Sequence, residues 1–350
     1  MNAYPVIGVV LTAVLTLAAT GASWQAIASR RDRRRFAPPG DLVDVGDHRL
    51  HLLVTGEPTD APTVVLEAGM ASMSANWAWV QRELAERFRV VSYDRAGLGW
   101  SDTGHGSRDA AASAGELHTA LRAAGIGPPY VLAGHSYGGL VVRMFTDRYP
   151  DEVVGMVLVD SSHPDQWVNI PASRNGRTVA MGNRVTALLA RFGVLRLLHA
   201  ERPYIAGLPA HEYAEMRAYL ARPQGWSAGA DGLRAWDRWS RDQVNAARDL
   251  GNLPLVVLSV TEQDRYADVL TRLQADLVTL SSNSRHVTVA GATHYTLVSE
   301  RRYAAAVSDA VRTLSTAALH SLTDGDPGRA ARLVRPSPDP SRSRTCRACR

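Results

Sequence analysis

Residues 130–149 constrain this chain more than any other stretch. Tyr130-Val131-Leu132-Ala133 is a short apolar run, Gly134-His135-Ser136-Tyr137-Gly138-Gly139 follows it, and Leu140 to Tyr149 then places its apolar residues at helical spacing as far as Pro150. An apolar segment that passes through Gly-x-Ser-x-Gly into helical period predicts a strand, a sharp turn and a helix. Ser136 falls at the turn. Side chains at Gly134 or Gly138 would crowd a turn that pushes the serine backbone into a strained conformation. The helix beyond lends the positive end of its dipole to any anion that forms beside Ser136, and Pro150 ends it. A serine in an ordinary Gly-rich turn is the plainer alternative, and the strand before and helix after weigh against it.

Strand and helix signals alternate along the rest of the chain. Leu42 to Val45 and Leu50 to Thr55, separated by Gly46-Asp47, predict an antiparallel hairpin. Thr63 to Glu67, Phe88 to Tyr93, Val153 to Val159, Leu255 to Val260 and Arg285 to Val289 read as further strands. Asn76 to Arg87 predicts a helix with Trp77, Val80 and Leu84 on one face; a second carries Ala114, Leu117, Ala120, Leu121 and Ala124 and stops at Gly125. Ala267 to Leu280 is helical, and a closing helix carries Val307, Val311 and Leu314. Between about His163 and Leu250 three helical stripes occur without strand alternation, and Trp167, Trp226, Trp236 and Trp239 lie among them. Those that face Ser136 would wall an apolar pocket.

The segment around Ser136 resembles the nucleophile elbow of the α/β-hydrolase superfamily, and the resemblance extends from about Leu42 to about Leu314. It implies an α/β fold: a mostly parallel central sheet flanked by helices, with a helical lid inserted at about 163–250. Ala68-Gly69-Met70 stands where the superfamily usually has a His-Gly pair, with Ala68 in place of the His. Asp94-Arg95-Ala96-Gly97-Leu98-Gly99-Trp100-Ser101 resembles the superfamily's Asp-x-Arg-Gly-x-Gly-x-Ser turn, and Asp94 and Arg95 are read as structural. That turn has no Gly-Lys-Ser/Thr ending, which argues against a phosphate-cradling loop.

Ser136 requires a base, because a neutral hydroxyl is a poor nucleophile at physiological pH. Of eleven histidines, His294 follows the last strand at a Gly-x-x-His turn, and the chain order nucleophile, acid, histidine is that of the resembled superfamily. His135 adjoins the serine, but neighbours on an elbow point apart, so it is read as packing. Two carboxylates are placed to hold the imidazole in its useful tautomer: Asp264, after the strand from Leu255, and Asp160, at the end of the strand after the elbow helix. The resemblance favours Asp264, although Thr261-Glu262-Gln263-Asp264 departs from its usual Gly-x-x-Asp approach; Asp160 is the alternative acid. The resemblance implies an oxyanion hole made by the backbone N–H groups of Met70, after the Ala68-Gly69 pair, and of Tyr137, the residue after the nucleophile. No metal and no organic cofactor is implied.

The termini carry a different message. Residues 1–29 contain no charged side chain, and an apolar run from Pro5 to Ala22 is long enough to span a bilayer core of about 30 Å. No Lys or Arg precedes it, as a cleaved signal would require, and Arg30-Arg31-Asp32-Arg33-Arg34-Arg35 follows it. A retained anchor is therefore preferred to a signal peptide, with residues 30–40 as a basic juxtamembrane linker and the body, 41–320, on the cytoplasmic side under the positive-inside tendency; secretion is the alternative. Residues 321–350 are rich in Pro, Ser and Arg and are expected to be disordered. Each of these two basic ends contributes +4 to the net charge of +5, so the body is near −3 and shows no nucleic-acid signature. Cys346 and Cys349 are the only cysteines, so the body holds no disulfide and no thiolate metal site.

The expectation is a membrane-anchored serine hydrolase that cleaves an ester or related carbonyl substrate with an apolar part through an acyl-enzyme on Ser136. Superfamily members that open epoxides or displace halide use an Asp at the nucleophile position. Amidase, peptidase, lactonase, thioesterase, acyltransferase and carbon–carbon hydrolase chemistry stay open. A low-turnover ligand-binding protein and a membrane scaffold are the readings from other classes.

Overall fold

The computed structural model describes residues 4–170, 175–247, 249–261 and 266–324. The chain opens with one helix, α1 (Tyr4–Arg35), so that residues 30–35, expected in a linker, are its last turns. Eight strands follow: β1 (Asp41–Asp44), β2 (Arg49–Thr55), β3 (Thr63–Glu67), β4 (Val90–Tyr93), β5 (Tyr130–His135), β6 (Val153–Val159), β7 (Leu255–Val260) and β8 (Ser284–Val289). They form a single sheet in the order β1-β2-β4-β3-β5-β6-β7-β8. β1 pairs antiparallel with β2 and β2 with β4; every pairing from β4 to β8 is parallel.

β3, β5 and β7 are buried along their whole length, as expected for central strands covered on both faces. One face packs α3 (Ala110–Ala123) and α4 (Gly138–Arg148); the other packs α2 (Ala78–Leu84) and the long closing helix. α3 is fixed at its start by Asp109, whose carboxylate accepts from Ala112 N–H at 2.9 Å, a cap worth about 1 kcal/mol. Gly125, at φ +69°, takes the left-handed position just beyond its end. The helix expected over 76–87 is shorter, because a 3₁₀ turn occupies Ser74–Trp77 before α2 begins.

Between β6 and β7 the chain is helical among the described residues. It runs through α5 (Gln166–Asn169), α6 (Gly176–Arg191), α7 (Val194–Leu198), α8 (Arg202–Ile205), α9 (Ala210–Leu220), α10 (Pro223–Ala235), a π turn at Trp236–Ser240 and α11 (Arg241–Ala246). After β7 come α12 (Ala267–Val278), α13 (Thr296–Ser299) and α14 (Arg301–Asp324). The helical insert lies over the carboxyl ends of the parallel strands, where open α/β sheets bind ligands.

Candidate active site

β5 delivers Ser136 at φ +55°, a left-handed conformation that costs a non-glycine residue roughly 1–2 kcal/mol. The neighbouring glycines permit it. A Cβ on Gly134 would stand 2.6 Å from the Gly138 carbonyl oxygen, and one on Gly138 would stand 2.5 Å from that of Glu67. The elbow is tied to the next strand through Ser136 N–H to Val159 O, 3.2 Å, and Ser162 N–H to Ser136 O, 2.9 Å. α4 begins at Gly138, with Tyr137 as its N-cap, so the first turn of the helix opens beside the serine.

β6 ends in Asp160, also in a left-handed conformation at φ +41°. Its Oδ2 accepts from His294 Nδ1 at 2.5 Å, and its Oδ1 accepts from Val260 N–H at 3.3 Å. Burial pushes this carboxyl up, but the His294 bond, the neighbouring imidazoles and the Val260 amide outweigh it and hold the group below the ordinary carboxylate value. Of the two candidate acids, Asp160 is the one seen on His294; Asp264 lies outside the described residues. The main chain after β6 turns Asp160 toward the histidine.

His135 does more than pack. Its Nε2–H donates to the His294 carbonyl oxygen at 2.9 Å, and the two rings lie 4.7 Å apart. Burial, and then the His294 ring, pushes the His135 imidazole down to about 3, so it is neutral at physiological pH. The contact spans 159 residues of sequence, and no local pattern could have shown it.

The turn from β3 carries Gly69 and Met70. Glu67, buried at the end of β3, accepts from Tyr93 and forms an ion pair with Arg95. Arg95 also donates to the carbonyl oxygens of Ala68 and Gly69, each at 2.6 Å, and its guanidinium lies over the Tyr137 ring. One cation thus pins the backbone of the 68–70 turn and faces the residue after Ser136. Asp94 is structural in the same way: it accepts from the N–H groups of Ser74 (2.6 Å) and Trp100 (2.9 Å) and pairs with His51.

Ser136, Asp160 and His294 line one cavity of about 410 Å³, together with Gly69, Met70 and His135. Trp167, Trp226 and Trp236 wall it, as do Val179, Tyr204, Met216, Leu220 and Leu233; Trp239 is instead exposed on the surface. The π turn begins at Trp236, whose Nε1–H donates to Pro164 O at 3.1 Å and so holds the indole against the cavity. Asn76, Gln166, Asn183 and Gln274 supply polar edges. Among the described residues, no cluster of His, Cys, Asp and Glu is arranged to hold a metal ion. A hydroxyl on a strained elbow, an imidazole oriented by a carboxylate and a helix start beside them can support nucleophilic attack on a carbonyl.

Comparison with known proteins agrees with this architecture. The chain is similar to the probable transporter efuK of Hormonema carpetanum, at 38% identity over 138 residues, which is 37% of this chain and 20% of that one. Its matches cover less than half the length of the first curated relatives, between 20% and 44%. In structure it resembles an esterase from Thermogutta terrifontis (TM-score 0.56, 22% identity, 77% of this chain and 94% of that one). It also resembles a putative epoxide hydrolase from Pseudomonas aeruginosa (TM-score 0.65, 19% identity, 81% and 99%). At such identities the two likenesses speak for the fold alone. The sequence match is broader: residues 62–300, well over half the chain, fit the family described as alpha/beta hydrolase fold, and the chain belongs to that family.

Proposed function

We propose that the protein is a serine hydrolase that cleaves an ester, or a related carbonyl substrate with an apolar part, through an acyl-enzyme on Ser136. The observation that carries the reading is the contact of Asp160 with His294 Nδ1 in the cavity that also holds the strained Ser136. With Nδ1–H donating to Asp160, Nε2 carries the imidazole lone pair and takes the serine proton as Oγ attacks the carbonyl carbon. The imidazolium that forms is stabilised by Asp160, and the tetrahedral oxyanion by the N–H groups of Met70 and Tyr137. His294 then returns the proton to the leaving oxygen. Water, activated by the same imidazole, releases the acid.

Asp160 is the proposed acid in place of Asp264. The apolar walls fit a hydrocarbon portion of the substrate, and the helices between β6 and β7 act as the lid. Some α/β hydrolases open epoxides, and those use an Asp as nucleophile; Ser136 at the elbow favours acyl transfer. α1, whose segment from Val6 onward is apolar and long enough to cross a membrane, is read as a retained anchor with the body on the cytoplasmic side.

A fluorophosphonate probe tests the reading. It should label the protein at Ser136 alone, and Ser136→Ala should lose both labelling and at least about a thousandfold of esterase activity while keeping its near-ultraviolet circular dichroism. Normal turnover by the folded variant would overturn the assignment.

A further inference from the structure

α6 is built inside out for a helix on a soluble protein. The residues it buries are small, namely Gly176, Ala180, Ala187 and Ala190, whereas Met181, Val185, Leu188, Leu189 and Phe192 are exposed. At 100° per residue these five fall on one stripe, on the side of the helix opposite its buried alanines. α7 extends the patch with Leu197 and Leu198, which are 70% and 68% exposed. Seven large apolar side chains exposed on two consecutive helices exceed what a monomeric soluble surface usually carries.

Two further observations say what covers this face. The first is continuity with α1. The first half of α1 exposes Val6, Ile7, Val9, Val10, Leu11, Val14, Leu15 and Leu17, and the helix then docks at the end of α6: a Cβ on Gly21 would lie 2.6 Å from Phe192 O, and one on Gly193 would lie 2.7 Å from the Trp24 ring. The apolar face of α6 and α7 therefore begins where the apolar half of α1 ends, at the level where a spanning helix leaves the hydrocarbon. The second is charge. Arg191 flanks one edge of the α6 stripe, beside Arg184, which pairs with Asp231, and the five arginines between Arg30 and Arg35 follow on α1, an arrangement of cations around an apolar stripe that suits anionic headgroups. Trp24, 44% exposed at the junction, sits where an interfacial aromatic belongs.

We infer that the outward face of α6 and α7 is seated in the lipid bilayer beside α1, so that the cavity takes its acyl substrate from the membrane. The opposite side of α6 lines that cavity with Val179 and Asn183, which makes this one helix the wall between Ser136 and the lipid. The substrate class is then an ester whose hydrocarbon portion partitions into a bilayer. The inference rests on α1 being a retained span and on the acyl-transfer reading of Ser136, and the test separates the three.

Full-length protein is reconstituted in vesicles of phosphatidylcholine and phosphatidylglycerol. A fluorophore is placed at Leu188→Cys or, as a control, at Glu57→Cys beyond the opposite end of the sheet, with Cys346→Ser and Cys349→Ser in both. Brominated lipid should quench the label at 188 several-fold more than the label at 57. In a second arm, the Val185→Gln/Leu188→Gln variant should hydrolyse a long-chain ester dissolved in the vesicles roughly tenfold more slowly, with hydrolysis of a short water-soluble ester unchanged. Equal quenching at both positions, in protein that resists carbonate extraction, overturns the membrane face and leaves the anchor standing. Extraction by carbonate overturns the anchor and the face together. Loss of both ester activities without Ser136 labelling overturns the acyl-transfer reading, while the quenching ratio still decides the face.

Discussion

At the residue scale the site is decided by which side chain holds which ring nitrogen. Asp160 takes Nδ1 of His294, and His135 takes its carbonyl oxygen, so the imidazole is fixed through side chain and main chain together. Asp160→Asn should therefore lower kcat steeply and depress the kinetic pKa of His294, since the amide stabilises the imidazolium far less than the carboxylate does. Asp264→Asn should leave a near-normal pH–rate profile. A crippled Asp264→Asn beside an ordinary Asp160→Asn would return the acid to the later loop. His135 leads to a separate expectation about stability. Its folded pKa of about 3 lies below the ordinary value of 6.5, so between those two values the unfolded chain binds the extra proton. Stability contributed by neutral His135 is thus complete above about pH 6.5 and is lost as pH falls toward 3, by up to a few kcal/mol. Urea midpoints measured from pH 7 to pH 4 should fall less steeply in His135→Gln than in the parent. That Ser136 and His294 meet at one cavity was legible in the sequence because an elbow and a post-strand Gly-x-x-His are local patterns. The acid was ambiguous because two strands are each followed by a carboxylate within a few residues; of the two, Asp160 lies among the described residues, against His294.

At the element scale, the 68–71 turn is shaped by its neighbours more than by its own residues. Arg95 holds its carbonyls from below, and α10 presses on it from above through Gly229 and Gly232. A Cβ on Gly229 would come within 2.8 Å of Ala71 Cβ, and Ala71 already sits at φ +57° with little room to yield. Gly229→Val should push this turn, displace the Met70 N–H from its proposed oxyanion position and lower kcat on the order of tenfold to a hundredfold, with KM much less affected. Steady-state kinetics on a soluble ester would show this; a change confined to KM would mean that α10 shapes the pocket and leaves the oxyanion turn alone. Sheet, helices and the helical character of the described residues between β6 and β7 were readable from period and punctuation, since most strands are rich in Val and Leu and several stop beside Gly, Pro or Asp. The close approach of α10 to the turn was not, because a glycine within a helix reads as a weak helix former until the partner it admits is seen.

At the scale of the whole molecule, α1 has two halves with different tasks. The apolar residues up to Leu17 face outward, but Gln25 and Ser29 are buried against the helical insert. Gln25 Nε2 donates to Ala221 O at 2.8 Å and its Oε1 accepts from Arg196 Nε at 3.1 Å, while Arg196 also pairs with Asp32 at 2.7 Å. The sequence pointed to an apolar segment long enough to span a membrane, followed by a basic linker; it could not show that the helix runs on to Arg35 and packs against α6 and α9. Where the chain is cut therefore matters. Removing residues 1–20 should make the protein extractable by carbonate and keep these contacts. Removing residues 1–35 should also strip the partners of Ala221 and Arg196, each worth roughly 1 to 3 kcal/mol, and uncover the apolar surface beneath Trp24. In thermal scans in the same detergent, the shorter deletion should melt close to the full chain and the longer one several degrees lower. The longer deletion should also lose esterase activity at temperatures where the shorter keeps it, because α6 and α9 line the cavity. Equal melting temperatures for the two deletions would mean that the second half of α1 rests on the insert without stabilising it.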